Sequence, residues 1–396
     1  MRQQHGFSLL ELIIAMAVML TVTGSVFTLM NPAQGSFAAQ PEVSDMQQRM
    51  RVATDTLYKD LIMAGGGAYQ GSMSGSLGNF FATVQPRRIG SINPDGPTVF
   101  RADTISLMYV PATIAQTSLK DRSPNQKSVE LAVESNQTTP PVPWCPAGDD
   151  LCGFKEGMTV LMYDDSGNYD TFTITNVQDS ALHLQHNTDQ LTYTEYEPVT
   201  TKIVQASNFV YYLNAATNQL MFYNGGTAAD VPVVDNVVGL AFEYYGEPQP
   251  PTWRPGKNVM VTEPGPWTSY GPKPPSMAVG GYAAYENCIF TFDGVTPQPR
   301  LPALGVPGTG LVKLTGAQLT DGPWCPNAAS GNRWDADLLR VRKIGVTLRV
   351  QSANAALRGP ASALFTRGGT SKGGEKWVPD QEIRFQVSPR NLNLGR

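Results

Sequence analysis

Phe7-Ser8-Leu9-Leu10-Glu11-Leu12-Ile13-Ile14-Ala15-Met16-Ala17-Val18 opens a run of 24 residues, Phe7 to Met30, in which Glu11 is the one ionisable side chain. As a helix rising about 1.5 Å per residue the run reaches about 36 Å, more than the roughly 30 Å of a hydrocarbon core. It is long enough to span. Arg2 and His5 precede it, and Glu42 and Asp45 are the first charges beyond it. The positive-inside tendency then puts residues 1–6 in the cytoplasm and the chain that follows the run outside. A cleavable secretory signal is the rival reading, because Ser36-Phe37-Ala38 supplies a small-x-small site before Ala39. Such signals hold about 7–15 apolar residues, fewer than this run, which disfavours it. Both readings export the rest of the chain.

After the breaker-rich residues 31–41, Val43, Met46, Met50, Ala53, Leu57, Leu61 and Ala64 recur at spacings of three or four. That is one apolar stripe on an amphipathic helix, which Gly65-Gly66-Gly67 should stop. Glu42 and Asp45 suit its positive N-terminal end. The stripe is expected to dock on the sheet of the following domain and to hold no ligand.

Farther along, the signals are strands: Thr104 to Val110, Met158 to Tyr163 and Asp170 to Val177, then Phe209 to Asn214 and Gln219 to Asn224 as a hairpin. Ile344, Val346, Leu348 and Val350 alternate with other residues, as do Ile383, Phe385 and Val387. Such alternation marks antiparallel strands with one buried face. The expected fold class is α+β, with a long N-terminal α-helix (membrane span plus amphipathic half) packed on an antiparallel β-sheet head. The expected divisions are 1–6 as a leader, 7–30 as the membrane and assembly helix, 31–64 as breaker plus amphipathic helix, and 65–396 as an extracytoplasmic head. The 38 Gly and 31 Pro imply many turns and long loops. Two stretches read as insertions: the Gly/Ser-rich residues 65–78, and the Pro/Gly-rich residues 246–281 with Trp253 and Trp267 among them.

Four cysteines in an exported chain, Cys145, Cys152, Cys288 and Cys325, suggest two disulfides. Proximity along the chain favours Cys145–Cys152 and Cys288–Cys325. The recurrence of Pro143-Trp144-Cys145-Pro146 as Pro323-Trp324-Cys325-Pro326 favours Cys145–Cys325 instead. The Cys145 to Cys152 spacing does not fit a zinc site, which wants pairs two to four residues apart. His183 and His186, three apart in a strand, should face opposite sides as solvated residues. The stretch Asp164-Asp165-Ser166-Gly167-Asn168-Tyr169-Asp170 has calcium-loop composition but lacks the closing Glu of an EF-hand, and a hairpin turn explains it. No nucleophile, metalloprotease, Walker or dinucleotide motif stands in a working context, so no catalytic residue, metal or cofactor is assigned. A net charge of −4 without a basic, aromatic-interleaved cluster leaves nucleic acid an unexpected partner.

An acidic residue inside a membrane span costs about 2.5–3.5 kcal/mol at the centre and less near an end, so Glu11 needs a partner. A cut after Gly6 would give Phe7 a free ammonium group close to Glu11. Two such helices side by side would then pair amine with carboxylate, turning two charge penalties into one contact between subunits.

Residues Gly6-Phe7-Ser8-Leu9-Leu10-Glu11-Leu12-Ile13-Ile14-Ala15 resemble the class III prepilin signal of type IV pilins and type II secretion pseudopilins. That pattern joins a short basic leader ending in Gly, cleavage before an aromatic residue that becomes N-methylated, and Glu as the fifth residue of the mature chain. Each element has its counterpart here. One feature departs: major pilins usually carry a Pro within the apolar segment, whereas the first Pro here is Pro32, and Gly24 is the weaker substitute. Farther on, Arg51 to Gly65 with Ala53, Leu57 and Asp60, Val234 to Tyr245, Ile344 to Val350 and Ile383 to Asn393 are similar to PilW-like minor pilins and the related GspJ-like pseudopilins.

The resemblance implies cleavage between Gly6 and Phe7 by a prepilin peptidase, N-methylation of Phe7, and assembly with other major and minor pilins through the N-terminal helix and Glu11. It implies an inner-membrane protein with a periplasmic head before assembly and a pilus or cell-surface location after it. The expected role is a minor pilin promoting pilus initiation near the tip, and not an enzyme. A type II secretion pseudopilin, a tip adhesin using residues 246–281, and an exported enzyme merely anchored by the helix are the alternatives.

Overall fold

A computed structural model describes residues 8–69, 75–89, 93–120, 128–132, 151, 153–178, 183–186, 191–193, 196, 198, 201–225, 229–254, 256–257, 267–358 and 378–394, without the side chains of residues 29–38 and 356. The chain divides into two compact units, residues 1–51 with 349–382, and residues 52–348 with 383–396.

The long N-terminal helix is Leu9–Met63, and it runs unbroken through residues 31–41, where the sequence places a breaker. A proline inside a helix removes one backbone hydrogen bond and costs about 3 kcal/mol. Extending an existing helix needs no second nucleus, however, so strong helix formers on both sides of Pro32 and Pro41 carry the helix past them.

In the first unit, every described side chain from Ser8 to Thr28 is exposed, and Leu9–Thr28 is long and apolar enough to cross a membrane. Farther along, Glu42 Oε2 accepts from Ser352 Oγ at 2.7 Å and from the Ala353 N–H at 3.0 Å. The Ser352 bond holds the Glu42 carboxyl below its ordinary value. Arg349 donates to Asp380 at 2.8 Å, and Met46 is fully buried.

In the second unit the stripe is buried as expected: Ala53, Leu57, Leu61 and Ala64 have no exposed surface. Gly65 ends the helix with φ +78, and its N–H donates to Met108 O at 2.9 Å. A Cβ at 65 would lie 2.4 Å from Leu392 Cδ2, so glycine is what lets the chain's C-terminal turn close over the helix end. Asn391 Nδ2 adds a bond to Met63 O at 3.2 Å.

Three larger sheets follow. Five antiparallel strands lie in the order Val84–Gln85, Thr104–Tyr109, Ser207–Asn214, Gln219–Tyr223, Val231–Asp235. The expected hairpin is among them, with Val210 opposite Tyr223 and Asn214 opposite Gln219. Four strands lie in the order Val312–Leu314, Val237–Gly246, Val341–Val350, Gln381–Val387. Ile344, Val346, Leu348 and Val350 are buried on the third of these, and on the fourth Val387 is buried while Ile383 and Phe385 are half-buried.

Seven antiparallel strands form the last sheet: Tyr169–Thr173, Thr159–Tyr163, Lys202–Gln205, Gln116–Leu119, Ser128–Ala132, His183–Gln185 and Asn176–Gln178. It has its own core, in which Val129, Leu131, Val160, Met162, Phe172 and Ile203 are buried together. Each such side chain contributes roughly 1.5–3 kcal/mol on burial.

Candidate functional site

The helix opens on a reciprocal pair. The backbone N–H of Ser8 donates to Glu11 Oε2 at 3.0 Å, and that of Leu10 donates to Ser8 Oγ at 3.3 Å. Ser8 and Glu11 thus cap the helix, with Leu10 in place of Glu11 as the donor to Ser8 Oγ, satisfying two of the donors left open at a helix start. Negative charge there also matches the positive end of the helix dipole. Glu11 therefore has a partner within its own chain, besides the intermolecular amine that sequence reasoning gave it. The signal was present as Ser-x-x-Glu ahead of an apolar run, and only Glu11 was singled out. Gly6 and Phe7 lie outside the described residues.

Glu11 shares one shallow groove along the helix with Ile14, Ala15, Val18 and Val22. The hydroxyls within the apolar run turn back on the helix: Thr21 Oγ1 donates to Val18 O and Ser25 Oγ to Thr21 O, each at 2.8 Å, and Thr28 Oγ1 donates to Gly24 O. Each of these polar groups is satisfied inside the helix, as an apolar solvent demands. The surface left over is apolar, with one carboxylate at its start.

On the buried stripe sits a residue whose role the sequence left unspecified. Asp60 accepts from Tyr109 Oη at 3.4 Å and from Tyr211 Oη. Burial raises the Asp60 carboxyl above its ordinary value, partly offset by the Tyr211 bond. Burial and the adjacent carboxylate push the Tyr109 hydroxyl up to about 12 and raise Tyr211 as well. The two hydroxyls come from neighbouring strands of the five-stranded sheet, so the contact fixes the helix in rotation and height as well as burying it.

The acidic stretch 164–170 is the turn between Thr159–Tyr163 and Tyr169–Thr173. Asp164 Oδ1 accepts from the N–H groups of Ser166 (3.0 Å) and Asn168 (2.9 Å), and its Oδ2 accepts from Asn168 Nδ2 at 2.6 Å. Burial pushes this carboxyl up to about 7. Asp170 accepts from Thr192 N (2.9 Å), Tyr193 N (3.0 Å), Tyr196 Oη (3.1 Å) and Asn332 Nδ2 (2.7 Å). These oxygens are spent on protein donors, the work of a hairpin turn.

A second acidic group escaped sequence reasoning. Asp321, Asp335 and Asp337 bring carboxylate oxygens within 4.8 Å of one another. Asp335 accepts from the N–H groups of Gly322 (2.6 Å) and Asp337 (2.8 Å), and Asp337 pairs with Arg340. Burial pushes Asp335 up to about 7. Asp335 caps the short helix Ala336–Arg340, and the thirteen residues between Asp321 and Asp335 kept the group from being legible as a motif.

Cys288 and Cys325 are joined, with Cα atoms 5.2 Å apart. The repeated Pro-Trp-Cys-Pro segment therefore does not mark a Cys145–Cys325 bond, and Cys145 and Cys152 lie outside the described residues. In the loop-entropy account a crosslink over this spacing contributes roughly 3–4 kcal/mol. His183 sits beside Ser128 Oγ at 3.2 Å, but His186 is fully buried, with its ring 4.4 Å from that of Phe172. This corrects the expectation of two solvated histidines: His186 lies just past its strand, so strand alternation does not govern it. Trp253 and Trp267 are half-buried, the first donating Nε1–H to Lys257 O and the second covered by the Lys273 ammonium at 4.2 Å.

Residues 1–27 match the family model described as the prokaryotic N-terminal methylation motif. No curated protein and no solved structure matches the chain. The motif, set on a helix whose first twenty residues are apolar and exposed, supports a type IV pilin-like prepilin, processed by a prepilin peptidase and anchored in a membrane.

Proposed function

We propose that the protein is a PilW-like minor pilin that promotes pilus assembly near the tip. The observation that carries this reading is the methylation motif over residues 1–27, leading into an apolar run whose sole carboxylate sits at its start. Prepilin peptidase cuts after Gly6 and methylates Phe7, and the helix holds the subunit in the inner membrane until it is drawn into the filament. Glu11 then pairs with the Phe7 amine of a neighbour, and that charged contact replaces its bond to the Ser8 N–H. The size of the head and the lack of a proline before Pro32 support a minor subunit over a bulk one. The subunit acts by position and contact, not by catalysis.

The test is the intact mass and N-terminal sequence of membrane-extracted protein, with and without the prepilin peptidase. A start at N-methylated Phe7 that vanishes without the peptidase is expected. A start at Ala39, or an uncut Met1, overturns the reading. Glu11→Ala should be processed normally yet be lost from the sheared filament fraction, because the helix surface would lack its one charged contact.

A further inference from the structure

In the head, four separate segments meet around a small cleft whose walls include Ser166, Asn168, Tyr193, Tyr282, Glu286 and Asn327. The cleft itself is small, about 20 Å³, room for about one water molecule, and it opens to solvent. No Lys or Arg lines it among the described residues. Glu286 is already balanced, since Arg300 donates to it at 2.9 Å and the Phe292 N–H at 3.1 Å. An anion meets no cation here, a cation meets no unbalanced carboxylate, and the apolar wall is limited to Pro275, Val279 and Pro326.

Two polar groups on the walls are spare. Asn327 Oδ1 accepts from the N–H groups of Ala329 and Ser330, both at 2.9 Å, which fixes the amide while its Nδ2 has no partner among the described residues. The Tyr282 hydroxyl likewise has none, and its ring is steadied by the Arg300 guanidinium 5.3 Å from its centre. Gly280, with φ +63, brings its turn so near Asn327 that a Cβ would lie 3.0 Å from Nδ2. The Cys288–Cys325 bond braces the walls, because Asn287 and Pro326, the residues beside those two cysteines, both line the cleft. Asn287 is tied in further by bonds to Pro272 O, Ile289 N and Phe290 N. A braced wall loses little entropy when a ligand binds.

We propose that this cleft is a carbohydrate subsite, taking one neutral sugar unit at its mouth against the Tyr282 ring and the Asn327 amide. A sugar offers what the walls match: an apolar face for an aromatic ring, and uncharged hydroxyls for fixed amide and hydroxyl groups. The inference deepens the pilin reading, on which the head is displayed outside the cell.

The test is saturation-transfer NMR on the full chain in zwitterionic micelles, since sugar-headed detergents would compete. The probes are glucose, galactose, mannose, N-acetylglucosamine and lactose at millimolar concentration. Asn327→Asp still accepts from Ala329 and Ser330 but loses the spare donor, and Tyr282→Phe keeps the ring against Arg300. At least one sugar should bind the parent, about tenfold more weakly in each variant. Absence of binding to the parent, or binding undiminished in both variants, overturns the proposal. The N-terminal mass read on the same samples separates the two readings: an unprocessed leader counts against the pilin assignment, and processed protein without saturation transfer counts against the subsite alone.

Discussion

Leu9 and Leu57 belong to one helix, yet Leu9 is 76 % exposed and Leu57 is fully buried. The contrast holds along both halves. From Leu9 to Phe27 the helix is apolar all round and no described side chain is buried; from Ala53 to Leu61 it is apolar on one stripe, and that stripe is covered. A one-sided stripe is completed by one sheet, whereas an all-round apolar cylinder is completed only by lipid or by other helices. The halves even handle their carboxylates differently. Glu11 is held by the Ser8 N–H at an exposed helix start, and Asp60 by two tyrosine hydroxyls in the interior.

The largest expected effect separates the two halves directly. Leu57→Ala should cost the head about 2–5 kcal/mol, read as a lowered denaturation midpoint in detergent, while Leu20→Ala should leave that midpoint within about 0.5 kcal/mol. Equal effects would mean that the exposed half also packs on the head. Next in size is Gly65→Ala, where the positive φ and the approach of Leu392 should together cost about 1–3 kcal/mol. Hydrogen exchange at the last turn of the helix should report the loss, and an unchanged rate would deny the C-terminal turn its part in closing the helix.

Tyr211→Phe should cost about 1–2 kcal/mol by leaving Asp60 with the longer Tyr109 bond alone. Tyr211→Phe combined with Asp60→Ala should cost less than the two single changes added together; simple addition would show the pair to be uncoupled.

The last expected effect is one of pH. Asp164 titrates near 4 when unfolded and is pushed up to about 7 in the folded head. Between those values the native state keeps a proton that the unfolded state has released. Stability therefore falls as pH rises through that window, by at most about 1.4 kcal/mol per pH unit, and is level above it. Asp335, also pushed up to about 7 by burial, acts in the same direction. Asp164→Asn still offers an oxygen to the Ser166 and Asn168 N–H groups, and the Asn168 amide can turn to meet the new NH2. The variant should lose part of the slope and exceed the parent by about 1 kcal/mol at pH 8, as urea melts at pH 5 and pH 8 would show. An unchanged slope would place the titration elsewhere.

Much of this was legible before any fold was known. Periodicity carried the amphipathic stripe, and the runs Phe209 to Asn214, Gln219 to Asn224 and Ile344 to Val350 overlap the strands Ser207–Asn214, Gln219–Tyr223 and Val341–Val350, because such patterns repeat within a few residues. The helix break at 31–41 was misplaced because propensity acts locally, whereas helix growth is cooperative over the whole element. Ser8 was overlooked although its spacing to Glu11 is local. The Asp60 lock was beyond reach, since its tyrosines stand 49 and 151 residues away.

By itself, then, the sequence determined that an apolar run with one carboxylate precedes a strand-rich head. Those are properties of neighbouring residues, and neighbouring residues suffice to set them. Only the tertiary structure decided which tyrosines hold Asp60, which cysteine meets Cys325, and that residues 166, 193, 282 and 327 share one cleft. These depend on which distant segments pack together, and that is settled by the whole balance of burial and chain entropy, not by any single stretch.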